Sequence, residues 1–237
     1  MLKVTTSWDD GDVLDKRVAD LLDRYGLKGT FYIPRDYWGA RLSDQQIRDL
    51  SERHEIGAHT LTHADLSKIS LDDACNEIIG SKKWLGELVE KPSGMFCYPR
   101  GRYTSDVRRE VEKAGFSGAR TTQQFSLEIG DLFEMKTTLH VYPLPFRFGV
   151  GLKRIFSPIR ERYSGYRSLG VPLYDLRSFE SAAKAAFDAA LERGSVFHVW
   201  GHSWEVEKYG LWQQLESVLR YIGNHPDCKY VINGDLV

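Results

Sequence analysis

Short apolar runs rich in β-branched residues alternate along the chain with longer stretches whose apolar residues recur at helical spacing. Residues 2–8 form the first such run and end in Asp-Asp-Gly, which predicts a buried strand that stops in a turn. Residues 13–25 then carry apolar side chains at helical spacing, and Gly26 follows as a C-terminal cap. A strand, a helix and a further strand in this order predict parallel strands joined by right-handed crossovers.

The alternation continues to the end of the chain. Ser43 with Gln46, Ser70 with Asp73, and Thr104 mark the starts of three more helices. Two later helices and seven later strands follow the same spacing rules. The helices are predicted at residues 179–191 and 211–222, and the strands at residues 30–33, 55–59, 95–98, 118–120, 135–141, 196–200 and 230–232.

One segment breaks this alternation. Residues 145–175 are rich in Pro, Gly, Arg and aromatic side chains. No polar linker separates the strand-helix units on either side of it. We therefore predict an α/β fold, a distorted (β/α) barrel with about seven parallel strands, formed by residues 1–237 as a single domain with an irregular basic insert at 145–175.

Composition and charge exclude several classes of protein. The chain has 32 Lys and Arg against 33 Asp and Glu, a formal charge of −1, which argues against bulk nucleic-acid binding. Its 42% hydrophobic residues exclude a disordered chain. Three cysteines cannot form a disulfide framework, no apolar run approaches the ~18 residues of a membrane span, and the first residues lack signal-peptide features. These features predict a cytoplasmic protein with no nucleic-acid partner and no transmembrane segment.

Two adjacent carboxylates follow the first predicted strand. Asp9 and Asp10 precede Gly11, and neighbouring residues at a strand end point to different sides. One carboxylate could then bind a metal while the other handles a proton. A turn whose aspartates bond backbone groups is the simpler interpretation of this motif alone.

Histidines follow two other predicted strands. His59 and His63 are spaced so that a helical turn would place both imidazoles on one side, as in metal-binding His pairs. His198, Trp200 and His202 would share one face of an extended strand, where an imidazole can act as a general acid or base. Each histidine alone could equally be a packing residue. Together the aspartates and histidines form a mixed N/O ligand set for zinc or a similar divalent ion.

The order of these motifs resembles that of the polysaccharide deacetylase family, the NodB-homology carbohydrate esterases, over residues 5–205. The resemblance is carried by the Asp9-Asp10 turn, the His59-x-x-x-His63 pair, the Phe96-Cys97-Tyr98-Pro99-Arg100-Gly101 strand end and the late strand that ends in His. It implies a distorted (β/α) barrel and metal-dependent hydrolysis of an N-acetyl or O-acetyl group on a sugar. The implied cofactor is one divalent metal ion, with zinc as the first expectation and cobalt, nickel or manganese as alternatives.

The resemblance also implies roles for individual residues. Asp9 would be the general base and His202 the general acid, with His198 as the alternative acid. The metal ligands would be Asp10, His59 and His63. The expected oxyanion and substrate contacts are the backbone N–H of Arg100 together with Tyr98, Trp200, Trp204 and Trp38.

The sequence departs from the family pattern at three positions. Cys97 stands where many members carry an arginine that orients the base, and the usual acidic motif after it is missing. Arg120, at the next strand end, could take over this role or form a structural salt bridge. Trp200 stands where a smaller apolar residue commonly lines the pocket for the acetyl methyl group.

The basic insert suggests a class of substrate. Residues 147–167 hold six Lys and Arg against a single acid, Glu161, with apolar residues at helical spacing. Such a segment can contact an anionic membrane surface or hold a phosphate, although a solvated helix face is the simpler interpretation. A cytoplasmic deacetylase would meet sugars linked to a nucleotide or a lipid diphosphate. We therefore expect a biosynthetic glycan intermediate as substrate, with amidase activity on a small non-sugar amide, or a catalytically weakened carbohydrate-binding barrel, as the alternatives.

Overall fold

The computed structural model describes residues 1–37, 39–91, 94–144 and 162–237. Within these ranges eight strands form one sheet, and every pairing between them is parallel. They are β1 (Leu2–Asp9), β2 (Gly29–Ile33), β3 (Glu55–Ala58), β4 (Met95–Cys97), β5 (Gly118–Arg120), β6 (Leu139–His140), β7 (Val196–Gly201) and β8 (Cys228–Tyr230). The predicted α/β class is confirmed.

Helices lie between most of these strands. They are α1 (Asp15–Arg24), α2 (Asp44–Ser51), α3 (Leu71–Leu88), α4 (Ser105–Lys113), α5 (described over 162–168), α6 (Phe179–Arg193), α7 (Ser203–Lys208) and α8 (Trp212–Ile222). The predicted capping box is present, because Ser43 Oγ accepts the N–H of Gln46 and the Gln46 side chain accepts the N–H of Ser43. Ser70 and Thr104 cap α3 and α4 in the predicted way.

The sheet curls on itself. Its strand order is β5-β4-β3-β2-β1-β7-β6, with β8 paired to the first residues of β1. After β5 the chain returns along the open edge, where the N–H of Met135 bonds to Ala119 O and that of Thr138 to His198 O, each at 2.9 Å. These bonds link the β5 edge to the β7 side and produce the predicted distorted barrel.

Several strand boundaries differ from the sequence prediction, and the last strand is Cys228–Tyr230 where residues 230–232 were expected. The expected strand over 135–141 is reduced to Leu139–His140, because Thr137 and Met135 bond to the β5 edge and its following loop rather than to a continuous ladder. The third strand ends at Ala58, so His59 already lies in the loop. Of the basic segment at 147–167, Arg154 and Arg160 lie outside the described residues. None of the described helices has the length and hydropathy of a membrane-spanning segment.

The central strand β1 carries the start of the candidate site. Every residue of β1 except Lys3 is buried, as expected for a parallel strand with helices outside and packed side chains inside. It pairs with β2, β7 and β8, and its last residue is Asp9. Asp9 and the adjacent Asp10 therefore lie near the middle of the sheet, at the C-terminal ends of its strands.

A buried histidine at the opposite end of the barrel is expected to make stability depend on pH. His54 packs on Phe31, and its Nε2 lies 3.4 Å from Asp23 Oδ1. Burial lowers the pKa of His54 to about 4, with Asp23 opposing and Arg53 and Lys28 reinforcing the shift. In the unfolded chain His54 therefore becomes protonated near pH 6.5, whereas in the folded chain it becomes protonated only near pH 4. Stability should fall as pH decreases from about 6.5 towards 4, by up to about 1.4 kcal/mol per pH unit for this group.

The variant His54→Phe tests this expectation. Phenylalanine keeps the ring contact and removes the titrating group. Urea unfolding at a series of pH values should show a shallower loss of stability in the variant than in the parent protein. Identical slopes would contradict the assignment.

Candidate active site

A cavity of about 420 Å³ opens at the C-terminal ends of the strands. Parallel α/β folds gather functional groups at this edge, because loops from several strand-helix units converge there. The described residues that line the cavity are Asp9, Asp10, Tyr37, His59, His63, Arg100, Thr122, Gln124, His140, Trp200, His202 and Trp204.

The two aspartates reach the cavity through a sharp turn after β1. Asp10 has a positive φ of 83° and Gly11 one of 66°. A Cβ on Gly11 would come within 2.7 Å of Ile33 Cγ2, so only glycine fits this turn. The turn directs Asp9 and Asp10 to different partners, as the sequence predicted.

Asp10, His59 and His63 converge on one point. Asp10 Oδ1 lies 3.3 Å from His63 Nε2 and 3.7 Å from His59 Nε2. His59 Nδ1 donates to Cys97 O at 2.8 Å, which leaves its Nε2 directed at the aspartate. The predicted helical turn between the two histidines is wrong. Residues 59–63 form a loop in which Thr60 and His63 have positive φ, and this loop brings the imidazoles together.

This cluster has the properties of a cation site. Asp10 Oδ1 is buried and has no hydrogen-bond partner among the described residues. Burial raises the pKa of Asp10, although His202 and His63 oppose the shift. Burial lowers the pKa of both His59 and His63 to about 4, which keeps them neutral and able to bind metal. An orphaned buried carboxylate oxygen facing two neutral imidazoles fits a divalent ion.

Two other groups of potential ligands occur among the described residues, and both fit a cation less well. In one, Asp9 is already paired with Arg120, and burial raises the pKa of the Cys97 thiol well above its usual range. In the other, a single oxygen of Glu205 already accepts hydrogen bonds from both histidines. The Asp10 group is therefore the best candidate.

Asp9 forms a buried ion pair with Arg120. The guanidinium of Arg120 contacts Asp9 Oδ1 and also donates to Thr121 O at 3.1 Å. Burial alone would raise the pKa of Asp9, but Arg120, His59 and His202 lower it to about 2. Cys97 Sγ lies 3.8 Å from the other carboxylate oxygen. Arg120 of β5 lies beside Cys97, the residue that departs from the family pattern, and from there it contacts Asp9.

His202 is held by a carboxylate from its own helical turn. Its Nδ1 donates to Glu205 Oε2 at 2.7 Å, and His140 Nε2 donates to the same oxygen at 3.1 Å. Burial opposes the protonation of His202, but Glu205, Asp10 and Asp9 raise its pKa to about 9. The imidazole is therefore charged at neutral pH, with its Nε2 at 3.8 Å from Asp10 Oδ2.

Two hydrogen bonds fasten the His202 loop to the β1 side. Trp204 Nε1 donates to Asp10 Oδ2 at 3.0 Å. Ser203 Oγ donates to Asp15 Oδ1 at the start of α1. These bonds fix the position of His202 relative to the cation candidate, although the two lie nearly two hundred residues apart in the chain.

Of the remaining predicted substrate contacts, three line the cavity and one does not. Arg100, Trp200 and Trp204 line the cavity, as expected. Tyr98 does not, because its ring stacks on Tyr103 and its hydroxyl bonds to Phe133 O.

His198, the alternative acid, also lies away from the cavity. Its Nε2 pairs with Ser7 Oγ at 2.8 Å, and burial lowers its pKa to about 3. A neutral imidazole held in the barrel interior cannot reach a group in the cavity. Trp38 lies outside the described residues.

Five residues of the site were not singled out from the sequence. Tyr37 packs on His63, and the Gln124 side chain accepts the N–H of His140. His140 stacks on Trp200 with ring centroids 4.1 Å apart. The only sequence signal for any of them is the three-residue spacing of His202 and Glu205, which allows their side chains to form a hydrogen bond. The five are Tyr37, Thr122, Gln124, His140 and Glu205.

The curled barrel with a carboxylate-histidine cluster at its strand ends has the fold of known sugar deacetylases. The chitin deacetylase of Colletotrichum lindemuthianum aligns with a TM-score of 0.59 at 15% identity, covering 100% of this chain and 90% of that one. A family 4 acetyl xylan esterase from Clostridium thermocellum, solved with a cobalt ion, aligns with a TM-score of 0.60 at 17% identity, covering 98% and 89%. At these identities the likeness establishes the fold.

Sequence comparison gives the family. Residues 3–119 match the polysaccharide deacetylase family. A putative polysaccharide deacetylase of Bacillus subtilis (strain 168) is 26% identical over 124 residues, which are 51% of this chain and 44% of the relative. A peptidoglycan-N-acetylglucosamine deacetylase of Bacillus cereus is 30% identical over 119 residues, 48% of this chain and 53% of the relative. Residues 3–119 belong to the polysaccharide deacetylase family, and the chain spans about half the length of these two curated relatives.

Proposed function

We propose that this protein hydrolyses the acetyl group of an N-acetylated sugar with a divalent metal ion held by Asp10, His59 and His63. The observation that carries the proposal is the convergence of these three side chains in one cavity with Asp9 and His202. Three of the curated relatives are named as deacetylases of N-acetylated peptidoglycan sugars, which supports an amide rather than an ester as substrate. Zinc suits the mixed N/O donor set, and cobalt, nickel and manganese are the alternatives.

Asp9 and His202 are the proton-transfer groups in this proposal. A divalent ion at the site would supply Lewis-acid polarisation of the acetyl carbonyl. Asp9, ionised and held in place by Arg120, accepts the proton of the attacking water. His202, protonated and oriented by Glu205, donates a proton to the leaving nitrogen. The two groups begin in opposite protonation states, as a general base and a general acid require.

The other cavity residues bind the substrate in this proposal. The backbone N–H of Arg100, which sits in a tight turn with φ of 60°, is proposed to donate to the developing oxyanion. Trp200 is held flat against His140 and forms the wall beside His202. Because tryptophan is larger than the apolar residue common at this position, we propose a narrow pocket that accepts acetyl rather than longer acyl groups.

The basic segment at residues 147–167 supports a finer proposal about the substrate. We propose that the substrate is a nucleotide- or lipid-diphosphate-linked sugar in the cytoplasm. The segment would then be able to contact a membrane surface. We also propose that residues 1–237 act as one domain. The support is the local positive charge in the sequence. Comparing hydrolysis of free and diphosphate-linked sugars by the parent protein and by a variant carrying Arg154→Gln and Arg160→Gln tests it. Equal rates throughout would contradict it.

Metal removal is the direct test of the main proposal. Chelation should abolish acetate release from N-acetylated oligosaccharides, and added zinc should restore it. Asp10→Ala should lose both bound metal and activity, because the carboxylate oxygen facing the two histidines is removed. Acetate assay and metal analysis of the same samples provide the measurement, and Asp12→Ala is the matched control on the same loop.

The other outcomes identify the competing functions. Activity that survives in Asp10→Ala would favour an amidase of a different mechanism. Bound metal without acetate release from any glycan would favour a carbohydrate-binding barrel that has lost turnover. Either result would contradict the proposal.

A further inference from the structure

A hydrogen bond between two buried side chains ties the turn of His202 to helix α1. Ser203 Oγ donates to Asp15 Oδ1 at 2.5 Å, and both residues are fully inaccessible to solvent. Ser203 is the first residue of α7 and follows His202 directly, whereas Asp15 is the first residue of α1. The bond therefore joins the first turn of α7 to the first turn of α1.

The α1 side of this bond is held by backbone hydrogen bonds. The N–H of Asp15 bonds to Asp12 O, and the N–H of Leu42 bonds to Gly11 O, each at 2.9 Å. These bonds hold the short turn that follows the two site aspartates and leads into α1. Asp15 therefore has a fixed position relative to the proposed metal ligands, although it does not line the active-site cavity itself.

The α7 side of the bond carries the proposed general acid. The backbone carbonyl of His202 accepts the first hydrogen bonds of α7, and the His202 side chain caps no N–H of this helix. The imidazole is therefore free to face the cavity, and its position follows that of the turn. Trp204 supplies a second attachment, but its bond ends on Asp10, a proposed metal ligand. Of these two attachments, the bond from Ser203 to Asp15 lies outside the metal cluster.

The Asp15 carboxyl lies in a position that is unfavourable for stability alone. Its Oδ2 atom is buried and has no hydrogen-bond partner among the residues that the structure describes. Burial raises the pKa of Asp15 well above its usual range, although the hydrogen bond from Ser203 opposes the shift. The neighbouring charges of Asp12, Asp10 and Asp9 add to it. A buried carboxyl with an unsatisfied oxygen costs stability, and such costs are typical of residues that serve a functional site.

From this arrangement we infer that Asp15 is a positioning residue for the general acid and acts through Ser203 on the position of His202. The inference rests on the proposed function, because it takes His202 as the group that protonates the leaving nitrogen. It goes beyond that function by assigning a role to a helix residue outside the active-site cavity. Loss of the bond should impair proton donation by His202, while Asp9 and the proposed metal ligands keep their places.

The test compares two substrates that differ in their need for a general acid. The nitrogen of an N-acetylated sugar must be protonated as its C–N bond breaks, whereas 4-nitrophenyl acetate releases a stable phenolate without protonation. Ser203→Ala should lower kcat for acetate release from N-acetylglucosamine oligomers by about 10- to 100-fold, with KM unchanged. Its kcat for 4-nitrophenyl acetate should change by less than about twofold, because that step needs no general acid.

Substitutions of Asp15 give the second half of the test. Asp15→Ala should reproduce the selective loss of Ser203→Ala, and the double variant should lose no more than the worse single variant. Asp15→Asn keeps an oxygen for the Ser203 hydroxyl and should retain most of the activity. Ser181→Ala is the matched control, since Ser181 Oγ donates to Asp175 Oδ1 at the same 2.5 Å and neither residue lines the active-site cavity.

The outcomes separate this inference from the proposed function. Equal losses on the two substrates in Ser203→Ala, or no loss on the sugar, would overturn the inference. A parent protein that releases no acetate from the sugar would contradict the proposed function. In that case, or if 4-nitrophenyl acetate is not hydrolysed, crystal structures of the parent protein and of Ser203→Ala decide the inference. Displacement of the His202 imidazole from its place 3.8 Å from Asp10 supports it, and an unmoved imidazole overturns it.

Discussion

Asp9→Asn is expected to lower kcat by about 10²- to 10⁴-fold, the usual contribution of a general base, while the protein still binds metal. Asparagine has nearly the same shape and keeps one oxygen to accept the Arg120 hydrogen bond, but it cannot take the proton of the attacking water. The proposed metal ligands Asp10, His59 and His63 remain in place, so KM should change little. Steady-state acetate release together with metal content gives the measurement.

A neighbouring aspartate supplies the control for this substitution. Asp12→Asn alters a carboxylate that accepts the N–H of Leu14 at 2.9 Å and lies outside the active-site cavity. It should keep nearly full activity. Activity of Asp9→Asn within a few-fold of the parent protein would show that another group, or solvent, removes the proton.

Arg120→Leu is expected to have the largest effect on stability. Arg120 is fully buried and pairs with the buried Asp9. Burial raises the pKa of the Asp9 carboxyl, whereas the guanidinium lowers it. Removing one partner leaves an uncompensated charge in the barrel, which typically costs about 3–5 kcal/mol. Activity should fall as well, because Asp9, the proposed general base, loses the contact that orients it.

A double-mutant cycle separates the ion pair from other roles of Arg120. The combined variant Asp9→Asn with Arg120→Leu has no buried charge at this position, so it should be more stable than Arg120→Leu alone. Urea unfolding of the parent protein, both single variants and the double variant gives the coupling free energy. Additive losses would mean that Arg120 stabilises the barrel through its contacts with Tyr32 and Trp200 instead.

The fold was accessible from the sequence because local signals agreed with one another. The β-branched run of β1, the capping box at Ser43 and the alternation of strands with helices each restrict the topology. The curl of the sheet was less accessible, since it depends on bonds such as that from Thr138 to His198 across sixty residues. The short strand at Leu139–His140 was missed for the same reason, because its ends are set by hydrogen bonds to distant residues.

The candidate site was accessible where its residues follow strand ends in recognisable motifs. Asp10, His59 and His63 were found in this way, although the positive φ of Thr60 and His63 makes a loop where a helical turn was expected. His140 and Glu205 carry no motif that joins them, and only the fold brings both to His202. Arg120 was identified as a candidate because Cys97 broke the family pattern, and its contact with Asp9 then required the packing of β4 against β5.

The metal centre is tested most directly by anomalous diffraction at the zinc absorption edge, from crystals grown with zinc and acetate. We predict one strong peak within coordinating distance of Asp10 Oδ1 and of Nε2 of His59 and His63, with acetate beside it and facing His202. A peak between His140, His202 and Glu205, or no peak at either cluster, would contradict the proposed metal-dependent mechanism.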